Sequence, residues 1–142
     1  MIQQNIKVAA DSLVLSTAHG ELHLLLIKRR NDPYKGQWAL PGGFVENDED
    51  LEAAAIRELK EETGMELHEM GQLAAFGTPG RDPRGRCVSV VYYAITKTMD
   101  HVAGSDDAAE AKWVNVKEIS TLAFDHKDIL EYALWVLAEE LE

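Results

Sequence analysis

Residues 41–65 read PGGFVENDEDLEAAAIRELKEETGM, from Pro41 to Met65, and the reading of the fold turns on them. The stretch opens on two glycines, carries eight carboxylates between Glu46 and Glu62, and closes on Gly64. This order predicts a loop, then a helix, then a left-handed stop. Asp50 suits the N-cap, where its side chain can accept an orphan N–H of the first turn. Leu51, Ala54, Ala55 and Leu59 recur at helical spacing and give the apolar face. Gly64 suits the left-handed residue that ends many helices.

The acids on this helix are unusually placed. Glu58, Glu61 and Glu62 stand at i, i+3 and i+4, so they crowd one face. Like charges at that spacing cost roughly 0.2–0.5 kcal/mol per pair. Glu61 and Glu62 also lie in the last turn, where the helix dipole disfavours anions. Only Arg57 and Lys60 offset them. A cluster that opposes both rules suggests a missing cation, although a solvated acidic face accounts for the three glutamates taken alone.

The wider stretch decides between these readings. Gly43, five residues, Glu49, seven residues, then Arg57-Glu58-Leu59-Lys60-Glu61-Glu62-Thr63-Gly64-Met65 resembles the signature of the Nudix hydrolases, G-x5-E-x7-R-E-U-x-E-E-x-G-U with U a bulky aliphatic. Met65 is its one departure, since isoleucine, leucine or valine is more usual there. The match covers about a sixth of the chain and extends into the lead-in GQWALPGGFVE. The resemblance implies a single Nudix hydrolase domain over residues 1–142, an α/β fold in which a mixed sheet is sandwiched between helices. It also implies Mg²⁺, with Mn²⁺ as a substitute. By the same resemblance Glu58 and Glu62 ligate metal, Glu61 ligates metal or positions water, and the carbonyl of Gly42 completes the shell. Arg57 holds the glutamates in place, its guanidinium forking to a carboxylate such as Glu49.

Composition agrees with one ordinary globular domain, at 46% hydrophobic and 27% charged residues. A net charge of −11 argues against a nucleic-acid partner held by phosphate contacts. It would also repel a phosphate-bearing small molecule unless metal ions bridge the two. The single cysteine, Cys87, excludes a disulfide framework and a thiolate metal cluster. No apolar run approaches a membrane span and no leader pattern opens the chain, so a cytoplasmic protein without a membrane partner is expected.

In chain order, Ile6–Ser16 and Leu22–Lys28 read as strands, the second half-buried by its alternation. Lys28, Arg29 and Arg30 follow as a basic cluster that could hold phosphate or merely end a strand; Arg30 is the substrate candidate. Trp38–Leu40 is a short strand, and another lies between Glu66 and Phe76. The run from Gly77 to Arg86 is loop chemistry, and its arginines offer planar forks for phosphate or carboxylate. A charged hairpin tip is the alternative. Pro79 and the RDPRGR run resemble Nudix enzymes that act on ADP-ribose, which makes Arg81 and Arg84 substrate contacts by implication. Val88–Thr96 reads as a central strand and Lys112–Val116 as the last.

Asp106, Asp107 and Glu110 lie in or beside the loop from Met99 to Ala109 and are further metal or water candidates by resemblance; a solvated loop is the simpler reading for each. Leu122–Glu142 holds a second helix with Asp125 at the N-cap and Asp128 at N3. Its stripe is Leu130, Leu134, Leu137 and Leu141. His126 belongs to the helix start and is no metal ligand.

The resemblance therefore points to hydrolysis of a nucleoside diphosphate derivative, ADP-ribose first, giving AMP and ribose 5-phosphate, and makes a homodimer plausible. Enzymes of the same fold that cleanse oxidised triphosphates or cleave other nucleotide sugars are alternatives. So is a sensor that binds ADP-ribose-like metabolites without turnover. Such sensors share the RDPRGR and LAFDH segments but add a winged-helix region, and the chain's end at Glu142 with an intact box favours the enzyme.

Overall fold

A computed structural model describes residues 3–142 of the chain. Among the described residues seven strands and two α-helices follow one another: β1 (Lys7–Ser16), β2 (His23–Arg29), β3 (Trp38–Ala39), β4 (Gly42–Phe44), α1 (Leu51–Thr63), β5 (Gly71–Phe76), β6 (Cys87–Thr96), β7 (Ala108–Asn115) and α2 (His126–Val136). The strands form one mixed sheet. β1 runs parallel to β6 along its whole length, from Lys7 opposite Cys87 to Ser16 opposite Thr96. Every other pairing is antiparallel.

The other edge of β1 is divided. β2 pairs with it only at Leu15 and Ser16, and β4 pairs with Ala9, Ala10 and Asp11. β1 and β2 thus diverge, and the short strands β4 and β3 fill the wedge between them. Residues 42–44 form a strand where the sequence suggested a loop. Glycine has little strand preference, and only the edge offered by β1 fixes the backbone there.

Both faces of the sheet are covered. Leu13, Leu15, Leu24 and Leu26 meet Ile129, Leu130 and Ala133 of α2 and Leu137 just past its end. On the opposite face Val14 and Leu25 meet Leu59 of α1, and Ala10 meets Ala54 and Ala55. Leu24 through Ile27 are therefore all buried, which corrects the half-buried reading of β2. Alternation by polarity fails when helices lie on both sides. Trp38 and Trp113 pack at the margins of these clusters.

α1 ends as its sequence requires, with Gly64 at φ 81° and its N–H bonded to the carbonyl of Lys60. Asp50 occupies the N-cap, but its side chain makes no capping bond. α2 is shorter than expected, ending at Val136, while Leu134 and Leu141 still pack on the core. β7 begins four residues earlier than predicted, at Ala108, because β2 supplies a partner for residues that look like loop. Among the described residues no helix is long and apolar enough to cross a membrane.

Candidate active site

α2 covers only part of its face of the sheet. Near the N-terminal ends of β1 and β6, Ala9, Asp11, Cys87 and Ser89 instead line a cavity of about 380 Å³. Its opposite wall brings Gly42, Gly43, Glu58 and Glu62, and its rim carries Arg29, Arg84, Asp107 and Phe124. A volume near 400 Å³ is within the range of small-ligand sites. Its lining joins a group of carboxylates to guanidinium groups and the rings of Phe44 and Phe124.

The glutamates are held from two sides. Arg57 donates from Nε to Glu49 Oε2 at 2.6 Å and from Nη2 to Glu49 Oε1 at 2.9 Å. Its Nη1 reaches Glu58 Oε1 at 2.9 Å and Glu61 Oε2 at 3.2 Å. Glu62 is buried and accepts the N–H of Gly42 at Oε1, at 2.7 Å. Glycine at each lead-in position leaves room for a carboxylate beside it. A Cβ on Gly43 would stand 2.7 Å from the Glu58 carboxylate, and one on Gly42 would stand 2.0 Å from Asp11 Oδ1.

Electrostatics among these carboxylates are severe. Burial pushes the Glu62 carboxyl up to about 8, and Glu58, Asp11 and Asp107 add repulsion that the Gly42 N–H only partly offsets. Burial also raises Glu58, against the hydrogen bond from Arg57. Asp11 is pushed up to about 6 by burial, with a hydrogen bond from Ser89 and the charge of Arg81 opposing. Crowded, desolvated carboxylates of this kind mark functional sites. Among the described residues no three acid, histidine or cysteine groups enclose an ion by themselves. The arrangement suits a hard cation that keeps waters and takes further oxygens from a ligand, as Mg²⁺ does.

Asp11 is a site residue that the sequence reading passed over. It lies on β1 in step with Leu13 and Leu15, so the two-residue period already placed its charge on a buried face. A buried chain of contacts reaches it from α2. Arg81 forks onto Asp125, Nε to Oδ2 at 2.9 Å and Nη2 to Oδ1 at 2.7 Å, and its Nη1 donates to Ser89 Oγ at 2.8 Å. Asp125 therefore holds a loop arginine and makes no side-chain cap on its own helix. Arg81 lines the cavity, but three of its donor contacts are spent on protein and its side chain is only 5% exposed.

The remaining candidates separate by position. Arg84 stands at the rim, half exposed, paired with Asp82 and set over the rings of Phe44 and Phe124. Arg30 does not line the cavity. Its Nη2 donates to the carbonyl of Ala108, and Arg29 takes the cavity position. Arg29 stands two residues after Ile27, which packs with Ala123 and Phe124, so the two-residue period of β2 carries Arg29 to the cavity side and turns Arg30 away. Asp107 lines the cavity, whereas Glu110 pairs with Lys28 at 3.3 Å outside it. His126 is buried with Nδ1 accepting the N–H of Leu40 at 3.0 Å.

The NUDIX domain model matches residues 6–133. The chain belongs to the Nudix family. Its class is that of the Nudix pyrophosphohydrolases. An ADP-ribose pyrophosphatase from Methanocaldococcus jannaschii is 45% identical over 129 residues, covering 90% of this chain and 73% of its own. An ADPR responsive transcriptional repressor, NtrR, from Acinetobacter baylyi is 39% identical over 89% of this chain, which spans about half (52%) of that protein. In structure, the NUDIX domain of Shewanella oneidensis NrtR complexed with ADP ribose superposes with a TM-score of 0.88 at 31% identity, covering 95% of this chain and 90% of that one. The sandwich implied by the resemblance is thus the observed fold.

Proposed function

We propose that this Nudix chain hydrolyses ADP-ribose to AMP and ribose 5-phosphate with the help of a divalent cation, Mg²⁺ in preference and Mn²⁺ as a substitute. The observation that carries the reading is one cavity lined both by crowded carboxylates and by guanidinium groups with aromatic rings. A diphosphate repelled by a chain of net charge −11 is held where a cation faces Glu58 and Glu62 and arginines face its outer oxygens. Similarity to an ADP-ribose pyrophosphatase and to an ADP-ribose-bound domain supports this choice among nucleotides.

Glu58, Glu62 and the carbonyl of Gly42 would hold the cation, with Glu61 as ligand or water holder. When bound, the ion makes a nucleophile of water near neutral pH and offsets charge on the leaving oxygen. The chain's own residues do the positioning. Arg57 anchors Glu58 and Glu61 against Glu49, and Gly42 fixes Glu62 from the opposite side. Gly43 lets the Glu58 carboxylate approach β4, and Asp11 closes the floor beneath Gly42. Arg84 and Arg29 draw the phosphates into the cavity. Arg81 is the rigid link between that floor and α2, touching ligand only through its cavity-facing edge.

The 39% identical repressor sustains a second reading, a domain that binds ADP-ribose and does not cleave it. Both readings meet one experiment: a panel of ADP-ribose, NADH, a diadenosine polyphosphate, a sugar nucleotide and oxidised guanosine triphosphate, assayed with Mg²⁺ and then with chelator. Metal-dependent release of AMP chiefly from ADP-ribose upholds the first. Tight binding of ADP-ribose without turnover upholds the second, and preference for the triphosphate overturns both.

A further inference from the structure

His126 opens α2, and its ring lines the cavity. Leu40 is buried, so its N–H needs an acceptor, and His126 Nδ1 takes that bond at 3.0 Å. A ring nitrogen that accepts carries no proton, so the neutral imidazole holds its proton on Nε2. Burial keeps the ring neutral by lowering its pKa to about 4; Asp125 pulls the other way, and the charges of Arg81 and Arg29 add to the effect of burial. The imidazole is therefore a fixed tautomer whose second edge donates. Among the described residues no protein acceptor takes the Nε2 proton, yet Nε2 is not sealed in, since the one enclosed side-chain nitrogen or oxygen lacking a partner is His23 Nδ1. The space on which the Nε2 edge opens is the cavity.

Resting on the nucleotide reading above, we propose that His126 Nε2–H is a neutral hydrogen-bond donor to a phosphate oxygen of the bound nucleotide. The surroundings of the ring choose the acceptor. Arg29 and Arg81 line the same cavity and both act on the ring by their charge. A positive potential favours an anionic oxygen over a hydroxyl group. Both arginines have donors committed to the protein. Arg29 Nε bonds the carbonyl of Pro33 at 2.7 Å, and Arg81 is spent on Asp125 and Ser89. The Nε2–H of His126 is uncommitted. A third cation beside two guanidinium groups would be repelled, whereas a neutral N–H directs an oxygen without adding charge. The bond from Leu40 also sets the direction of the donor, because it holds the far side of the ring. Leu40 stands two residues before Gly42, so the segment that orients the donor is the lead-in to the box.

Two measurements on the whole chain with Mg²⁺ present test the donor. In the wild type at neutral pH, nitrogen NMR should show the His126 ring protonated at Nε2 and bare at Nδ1. Its Nε2–H signal should move when AMP, ribose 5-phosphate or inorganic pyrophosphate is added. By calorimetry, His126→Asn should bind AMP or ribose 5-phosphate roughly tenfold or more weakly than the wild type, as loss of a hydrogen bond to a charged group does. Its side-chain oxygen takes the place of Nδ1, and nothing takes the place of Nε2. His126→Gln, whose amide nitrogen reaches the place of Nε2, should keep most of that affinity but melt lower, because Leu40 loses its acceptor. A ring protonated on Nδ1, a signal that none of these ligands moves, or unchanged affinity for both phosphate esters in His126→Asn overturns the donor. A signal moved by AMP or ribose 5-phosphate but not by pyrophosphate overturns the phosphate assignment. A signal moved by pyrophosphate in a chain that binds no nucleotide refutes the nucleotide reading and leaves the donor in place. The NMR measurement needs no variant, so it reports even if His126→Asn fails to fold.

Discussion

Arg57 forks the Nε–Nη2 edge of its guanidinium onto Glu49 while its Nη1 reaches Glu58 at 2.9 Å. One side chain therefore ties the residue that opens the helical part of the box to the carboxylate that faces the cavity. The fork depends on a planar group, which lysine lacks. Arg57→Lys should lower kcat/KM for the nucleotide substrate by roughly 10- to 100-fold, as losses of groups that orient metal ligands do. Its melting temperature should change little, since the helix stays packed through Ala54, Ala55 and Leu59. Kinetics and a melt on the same sample check this; activity within twofold of wild type would show that Glu58 needs no such anchor.

Glu58→Gln and Glu62→Gln should each cut turnover by at least about 100-fold, because an amide cannot replace a carboxylate on a hard cation. The two should differ in stability. Glu62 is buried, with its carboxyl pushed up to about 8 by that burial and by neighbouring acids, so a neutral amide fits its surroundings without cation. Glu62→Gln should melt at or above the wild-type temperature in chelator. Near-normal turnover in either variant would remove that glutamate from the site.

The two glycines of the lead-in should fail differently. Gly42→Ala drives a Cβ into the Asp11 carboxylate and into the backbone of Ala10, at 2.0 and 2.7 Å, and the backbone cannot yield. It should cost about 1–3 kcal/mol in chemical denaturation, the usual range for overpacking. Gly43→Ala meets only the tip of Glu58, which can turn aside. That variant should fold normally and lose activity. Equal stability losses in both would contradict the assignment.

Local spacing carried most of what could be read without coordinates. The helix of the box, its left-handed stop and its three glutamates all lie within 25 residues, where covalent connection fixes geometry. What it missed depended on partners distant in sequence. Arg81 looked free to meet a ligand, yet it is claimed by Asp125, 44 residues away. Arg29 and Arg30 were indistinguishable as neighbours in a basic run, and only the packing of Ile27 against Ala123 and Phe124 shows which phase of β2 faces the cavity. Asp11 was visible in principle. A carboxylate in phase with Leu13 and Leu15 contradicts the face it shares, and such contradictions gather at functional sites.

His126 gives a prediction of pH-dependent stability. Its ring is buried, and the N–H of Leu40 donates to Nδ1, which requires that nitrogen to carry no proton. Burial lowers its pKa from 6.5 to about 4; Asp125 opposes the shift, while Arg81 and Arg29 reinforce it. The unfolded chain therefore takes up a proton near pH 6.5 that the fold refuses until about pH 4. Between these values the unfolded state binds more protons, so stability is full above the window and falls as the pH drops through it. At pH 4.5 the loss from this residue should reach about 2–3 kcal/mol. Asparagine at position 126 keeps an acceptor for Leu40 and does not titrate. Urea denaturation at pH 7.0 and 4.5 should therefore show His126→Asn losing about 2–3 kcal/mol less than wild type over the same interval. Other acids titrate in both proteins and cancel in the difference. Parallel losses in the two would mean that the buried imidazole accepts its proton inside the fold.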